Sequence, residues 1–449
     1  MIPNSLGNGM DTGDVRLNQR AQALFELLSA DPALSFPKMT DDWGALKALY
    51  RFMSNGKVTH QKILEPHFEQ TAARCASTPI VLAVQDTTFL NFSHHPNTVG
   101  MGPVNTRHKE GWGMLVHTAF AVNGQTKEPL GLLHQDVFVR KGWYSKEETY
   151  QERLNRPRES HKWFKGCREI KERLPGHPKV LQVADREADI FFFLKEIMES
   201  GQGFVIRAAR NRSTIKGYLS DEIEQSRMVG IGHLSVPRNG NRKARTAKIE
   251  IRSSTVNILP PKVVRHQGEP LVVNVLIIEE IEVPDKVEPL YWVLLTSETV
   301  SNLDCAWAVM TYYQARWIIE EFHKGLKTGC QMEGRQLASR HALQNALGLF
   351  SVITVQLLAL RHQAAKITLC PESNVGLTPS QLEIIKSKFP KESRDLDSKK
   401  ILILIARLGG FIGRKSDGNP GWQTLMHGLY ELLLMDYGFH LAQKVVGKG

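Results

Sequence analysis

The chain has 449 residues, 42% of them hydrophobic, and a formal net charge of +11; this allows roughly two or three domains and favours an anionic partner. Its five cysteines (Cys75, Cys167, Cys305, Cys330, Cys370) include no CxxC pair, which argues against a cysteine-built zinc site and fits a reducing compartment. The opening residues lack the apolar core of a secretory signal, and the longest apolar run, about Ala342 to Leu360, contains Gln344, Asn345 and Gln356, so a buried core helix is expected and a membrane span is not.

Residues 14–76 read as helices. Asp14 is placed to cap a helix that begins near Arg16, with Leu24, Leu27 and Leu28 as its apolar stripe. Pro32 and Pro37 interrupt it, and a second helix runs from Trp43 to Met53 with Lys47 and Arg51 on its surface. A basic helical module of this kind either binds DNA in helix-turn-helix style or packs as a cap, and the pattern leans towards the cap.

The character then changes. Ile80 to Val84 is an apolar run typical of a central strand, and it ends at Gln85-Asp86. Gly113 to Val122 and Leu130 to Val139 are two more strands, with a turn at Asn123-Gly124. The charged stretch Ser145 to Leu174 reads mainly as helix. Val180 to Ala184 is another buried strand, ending at Asp185-Arg-Glu-Ala-Asp189, and a phenylalanine-rich helix and the strand Phe204 to Arg207 follow. The early strands can form an antiparallel meander, while the later ones need helical crossovers. If the first and fourth strands are neighbours, Asp86 and Asp185 point into one crevice at the strand ends.

Residues 210–300 read as a strand-rich insertion. A basic, turn-rich loop from Arg238 to Arg245 precedes β-patterned runs at Lys248 to Ile251, Leu271 to Ile278 and Leu290 to Leu295. Tyr313 to Lys327 reads as one continuous helix. At about 100° per residue, Tyr313, Arg316, Glu320 and Lys327 share a narrow arc, opposite the apolar Ile318, Ile319 and Phe322. Beyond it the chain is helical, broken at Gly409-Gly410 and Gly418 to Gly421, with a last helix from about Trp422.

Three carboxylates converge in this reading: Asp86, Asp185 and Glu320. Hard divalent cations take oxygen ligands, only a few of them from protein. Two such ions roughly 4 Å apart can activate a water or a 3′-hydroxyl and stabilise the leaving oxygen of a phosphodiester. Each acid alone has a plainer explanation: a strand-end aspartate is usually a turn or cap residue, and a glutamate among cations a solvated ion pair. The combination carries the weight. Other chemistries lack their motifs: His94-His95 have no partner pair at zinc spacing, and neither a GK[ST] phosphate loop nor a GxSxG elbow occurs. Trp292 reads by default as core, and functionally as a stacking platform for an unpaired base.

These segments resemble the cut-and-paste DDE transposases of bacterial insertion sequences, in the branch marked by Y-(2)-R-(3)-E-(6)-K. Tyr313, Arg316, Glu320 and Lys327 match that signature. Leu82-Ala-Val-Gln-Asp86-Thr-Thr resembles the first-aspartate strand, and Val183-Ala-Asp185-Arg-Glu-Ala-Asp189 the second-aspartate segment. Gly111-Trp-Gly, Gly131-Leu-Leu-His-Gln and Ile405-Ala-Arg-Leu-Gly-Gly-Phe411 are further family-like blocks.

The resemblance implies an α/β fold: a ribonuclease-H-like mixed sheet with a β-rich insertion, flanked by N-terminal and C-terminal helices. It divides the chain into a DNA-end-binding module (1–76), a catalytic core (77–210 and 301–345), an insertion (211–300) and a dimerisation region (346–449). It implies Mg²⁺ or Mn²⁺, two ions, on Asp86, Asp185 and Glu320, and no nucleotide cofactor. Tyr313, Arg316, Lys327 and Arg207 would contact DNA phosphates, and Trp292 the flipped base of a hairpin. The expected partners are double-stranded DNA, both element ends and target, and a second copy of the chain, with the work done at the nucleoid in the cytoplasm. Family members carry a further helix ahead of the segment that resembles Asp14-Val-Arg16. The alternative expectation is therefore a short, non-transposing regulator that inhibits a full-length transposase through mixed dimers.

Overall fold

The computed structural model describes residues 9–439 except 31, 41, 106–110, 141–158, 237–243, 263–267, 286, 367–376, 415–419 and scattered positions after 421. The first part of the expected helix from Ser145, most of the basic loop from Arg238, part of the break at Gly418 to Gly421 and much of the last helix lie outside the described residues.

Among the described residues, the leading helices are α1 (Val15–Ala30), α2 (Phe36–Met39), α3 (Trp43–Met53) and α4 (His60–Ala76). Polar side chains start three of them. Asp14 accepts the Arg16 N–H at 3.1 Å, Asp42 the Ala45 N–H at 2.8 Å, and Thr59 the Lys62 N–H at 3.3 Å. Their apolar stripes, including Leu24, Leu28, Leu49 and Phe68, are buried in the largest core cluster of the molecule.

The strands are β1 (Val81–Asn91), β2 (Gly102–Pro103), β3 (Trp112–Asn123), β4 (Pro129–Phe138), β5 (Val180–Ala184), β6 (Gly203–Arg207), β7 (Ser213–Thr214), β8 (Gly217–Tyr218), β9 (Arg227–Val236), β10 (Arg245–Ile258), β11 (Leu271–Ile281) and β12 (Tyr291–Thr296). They form one mixed sheet in the order β2-β3-β1-β5-β6-β12-β11-β10-β7-β8, with β4 on β3 and β9 on β10. The early meander is antiparallel, and β5 joins β1 and β6 in parallel. The strands between β6 and β12 extend the same sheet, because β12 pairs back onto β6. β9, with glycines at 230 and 232, has no clear alternation and was not expected from the sequence.

One expectation is corrected here. Asp86 does not end its strand. β1 runs on to Asn91 because β3 pairs with it antiparallel along its whole length, Val81 with Asn123 through Asn91 with Gly113. Only the pairing with the shorter β5 stops before Asp86, after Val84 and Val183.

Helices α5 (His161–Arg173) and α6 (Phe191–Glu199) pack on one sheet face, and a short α7 (Leu219–Glu224) precedes β9. On the other face lie α8 (Leu303–Gln314), α9 (Trp317–Lys324) and the long α10 (Arg340–Lys366). The stretch Arg340–Ala359 is long and apolar enough to cross a membrane, but 83% of it is buried inside the fold, as befits the expected core helix. The small helices α11 (Pro379–Lys388) and α12 (Ser398–Leu408) share a separate apolar cluster with Leu432.

A second correction concerns Tyr313 to Lys327, which is not one helix. Hydrogen bonds tighten to three-residue spacing where Arg316 N–H meets Tyr313 O at 3.0 Å and Ile318 N–H meets Ala315 O at 3.1 Å. After Lys324 the ladder widens into a π turn, Gly325–Gly329. The shared arc of an unbroken helix is therefore replaced by a corner, a short helix and a bulge.

Candidate active site

Pairing register sets the site. β1 and β5 match Val84 to Val183, so the next pleat brings Asp86 beside Asp185. β5 and β6 match Val183 to Val205, and the same step brings Asp185 beside Arg207. Arg207 pairs with Leu294 of β12, whose same-face neighbour along that strand is Trp292. Asp86, Asp185, Arg207 and Trp292 therefore lie on one face of four adjacent strands. α8 and α9 cover this face. Phe322 of α9 meets Phe120, the partner of Val84, at 5.5 Å between ring centres. Tyr313, at the end of α8, stands edge-on to Trp292 at 5.5 Å. Burial of Ile318, Ile319 and Phe322 leaves Glu320 directed away from the core side of α9.

The acids are unequally served. Asp86 Oδ1 accepts the Thr87 N–H at 2.8 Å, while its Oδ2 lies 3.9 Å from His323 Nδ1, beyond hydrogen-bond reach. Burial pushes the Asp86 carboxyl up to about 6; the Thr87 N–H and Arg316 oppose this, and the neighbouring Asp185 and Glu320 add to it. Burial, helped by Lys327, drives His323 down to about 3 and keeps it neutral. Asp185 caps the three-residue turn Arg186–Ala188, accepting the Glu187 N–H at 2.9 Å. Glu320 accepts a hydrogen bond from Arg316. Burial works against the Arg316 charge, but Tyr313, Glu320 and Asp86 outweigh it and raise its pKa.

The remaining expected residues surround this centre. Lys327, in the π turn, holds its Nζ 4.4 Å from the ring centre of Phe89 on β1, and burial lowers its pKa against the pull of Glu333. Arg207 donates from Nη2 to the Tyr291 carbonyl at 3.0 Å. Trp292 is half-buried and Tyr313 almost wholly so.

The donor set is all oxygen, which suits a hard divalent cation such as Mg²⁺ or Mn²⁺. Asp86, destabilised by burial and further by two neighbouring acids, is a carboxylate that a cation between them would stabilise. Among the described residues no three acidic, imidazole or thiol groups form a ready-made metal cluster, and Glu320 is engaged by Arg316.

Sequence reasoning passed over Trp317. It is the first residue of α9, 55% exposed, and adjoins Arg316 at the corner. Its signal was the surfacing of a large aromatic immediately beside the expected arc. A second cationic feature lies in the N-terminal helices. Arg16, Arg20, Lys47, Arg51 and Lys57 line a groove of about 540 Å³ between α1 and α3, with exposed Trp43 adjoining Gly44 of its wall. Spaced cations on exposed helices suit phosphates.

Three family models match the chain. A transposase DNA-binding model matches residues 5–58, a transposase DDE domain model residues 165–355, and a transposase Tn5 dimerisation domain model residues 380–448. The first turns the reading of the N-terminal helices from packed cap to DNA binding. The second spans Asp185, Arg207, Trp292 and the segment from Tyr313 to Lys327; Asp86 lies ahead of it and enters the site through strand register alone.

Proposed function

Because the chain belongs to the Tn5-like DDE transposases of insertion sequences, enzymes that cleave and rejoin DNA phosphodiesters with divalent metal ions, we propose that it moves its element by cut and paste. The observation that supports this most is the register row Asp86, Asp185 and Arg207, with Glu320 and Arg316 on α9 and its preceding corner, next to Asp86. Asp86, Asp185 and Glu320 would hold two ions, Mg²⁺ or Mn²⁺, which when bound supply a water or 3′-hydroxyl of lowered pKa and neutralise charge on the leaving oxygen.

The reaction opens with hydrolysis of one strand at the element's end. The freed 3′-hydroxyl attacks the opposite strand, displacing the flanking DNA and closing a hairpin. Water opens the hairpin, and the 3′ end then attacks target DNA. In each step an oxygen adds at phosphorus as the P–O bond opposite to it breaks. Arg316, Lys327 and Arg207 hold the phosphates, and the Tyr313 hydroxyl adds a donor. Arg316 acts twice, first holding Glu320 until DNA arrives and then exchanging that carboxylate for a phosphate oxygen. Trp292 stacks on the base flipped out at the hairpin, with Trp317 as a second platform at the rim. The chain acts as a homodimer on paired ends, brought together through residues 346–449, on DNA of the nucleoid.

The test is cleavage of linear DNA that carries the element's own ends, with Mg²⁺. The native protein should excise the element through a hairpin intermediate. Asp86→Ala, Asp185→Ala and Glu320→Ala should each lower cleavage by more than about 10³-fold, the scale on which loss of a metal-holding acid acts, with end binding retained. Metal-dependent cutting that survives in any of the three would remove that residue from the site. A folded, DNA-binding native dimer that cuts nothing would shift the reading to an inhibitor of a full-length transposase.

A further inference from the structure

Behind the acids, on the opposite face of the sheet, runs a chain of hydrogen bonds, buried at its centre, that the reaction does not use. Thr87 Oγ1 donates to His117 Nδ1 at 2.9 Å, and His117 Nε2 donates to Gln85 Oε1 at 2.9 Å. Gln85 Nε2 donates to Gln182 Oε1 at 2.7 Å, Gln182 Nε2 to Gln202 Oε1 at 2.6 Å, and Gln202 Nε2 to the Cys167 carbonyl at 3.3 Å. Gln85 and Gln182 are 1% exposed and His117 is fully buried. All links point the same way, so each group's donor and acceptor roles are fixed by its neighbours. Burial, and after it Lys162, keeps His117 neutral.

The location is unusual for such groups. Parallel strands covered on both faces are normally apolar throughout, and a buried polar chain is costly unless every member is satisfied. This one crosses from β3 to β1 to β5. Gln85 and Thr87 flank Asp86 in sequence and point to the other face, and Gln182 stands on β5 next to Val183, three residues before Asp185 in the chain. Helix α5 closes over it. The Trp163 ring meets His117 at 4.8 Å between centres, and a Cβ at Gly166 would lie 2.3 Å from Gln85 Oε1, so the helix is seated on the amide itself.

We propose that Thr87, His117, Gln85 and Gln182 are positioning residues: they clamp β1 to β5 from behind and so fix the separation of Asp86 and Asp185 on the front. This rests on the reading of those two acids as metal ligands. Outer groups that orient ligands act on metal affinity by about 10- to 100-fold, and a site of this kind tolerates misplacement of only about 0.5 Å.

The experiment is Mn²⁺ titration followed by the electron paramagnetic resonance signal of free Mn²⁺, with thermal melts alongside. Gln182→Met and Thr87→Val, near the two ends of the chain, should each weaken Mn²⁺ binding about 10-fold or more. Thr87→Ser, which keeps the hydroxyl, should bind like the native protein. Native Mn²⁺ affinity in Thr87→Val and Gln182→Met, whatever their melting temperatures, would overturn the proposal. If Gln182→Met does not fold, the Thr87→Val and Thr87→Ser pair decides alone. No Mn²⁺ binding by the native protein, or binding that persists in Asp86→Ala, would instead remove the metal-site reading and this inference with it.

Discussion

Trp292 and Trp317, both proposed as stacking platforms, differ in environment. Trp292 is half-buried on β12 in a T-shaped contact with Tyr313; Trp317 is mostly exposed. A stacking platform has to offer a free ring face to a base, and stacking is worth about 1–3 kcal/mol per base. Trp317 offers such a face already, whereas Trp292 offers one only where Tyr313 leaves it open. Trp292→Ala should slow hairpin closure by about 10-fold or more while sparing the first nick, measured by separating nicked from hairpin products over time. Equal slowing of both steps would assign Trp292 to the core. At this scale the adjacency of Asp86 and Asp185 on neighbouring strands was legible from the two apolar runs that each precede an aspartate. Trp317 was passed over although it adjoins the expected arc, because a large aromatic on an apolar-flanked helix reads first as core.

At the scale of elements, α4 and β4 meet through histidines. Leu132 N–H donates to His67 Nε2 at 3.1 Å, and His60 Nε2 shares a 2.9 Å hydrogen bond with Gln135. Burial pushes His60 and His134 down to about 4 and His67 to about 3. Each is neutral when folded but takes a proton near pH 6.5 when unfolded. Their stabilisation is thus complete above pH 6.5 and is lost as pH falls towards 4, by about 3 kcal/mol per histidine at most. Asp86 works in the opposite sense: with its folded pKa raised to about 6, it gains relative stability as pH falls below that value and offsets part of the loss. Denaturant melts between pH 7.5 and 4.5 should show stability flat above 6.5 and falling below it. His117 and His323, also held neutral by burial, add to the slope, so His67→Gln, which keeps an acceptor for Leu132 N–H but does not titrate, should flatten it by about a quarter; an unchanged slope would exclude His67 as a source. The meander and the crossover strands were readable from apolar runs and turn residues. The extension of β1 past Asp86 was not, since a long antiparallel partner, rather than local pattern, sustains it.

At the scale of the whole molecule, buried side chains tie the N-terminal helices to the segment after the π turn, Asn345 donating to the Met53 and Val58 carbonyls among them. Arg335, just past the π turn that carries Lys327, donates to the carbonyls of Pro32 and Leu34 in the N-terminal module as well as to Cys330, and its guanidinium lies 4.5 Å from the ring centre of Phe350 on α10. The N-terminal helices are therefore anchored to the segment that follows α9, so DNA bound in the groove between α1 and α3 would lie at a defined place relative to Lys327. If the groove cations contact phosphates, salt dependence gives a signature that composition alone cannot supply. Each phosphate neutralised by the protein releases a counterion and adds about 0.9 to the slope of log affinity against log salt concentration. Lys47→Ala and Arg51→Ala should each weaken binding to duplex DNA and lower that slope by about 0.9. Arg168→Ala should leave it unchanged, since Arg168 lies on α5 across the sheet and is paired with Glu196 at 2.6 Å. A slope that falls as much for Arg168→Ala as for the groove variants would show that net charge, not this groove, sets the affinity.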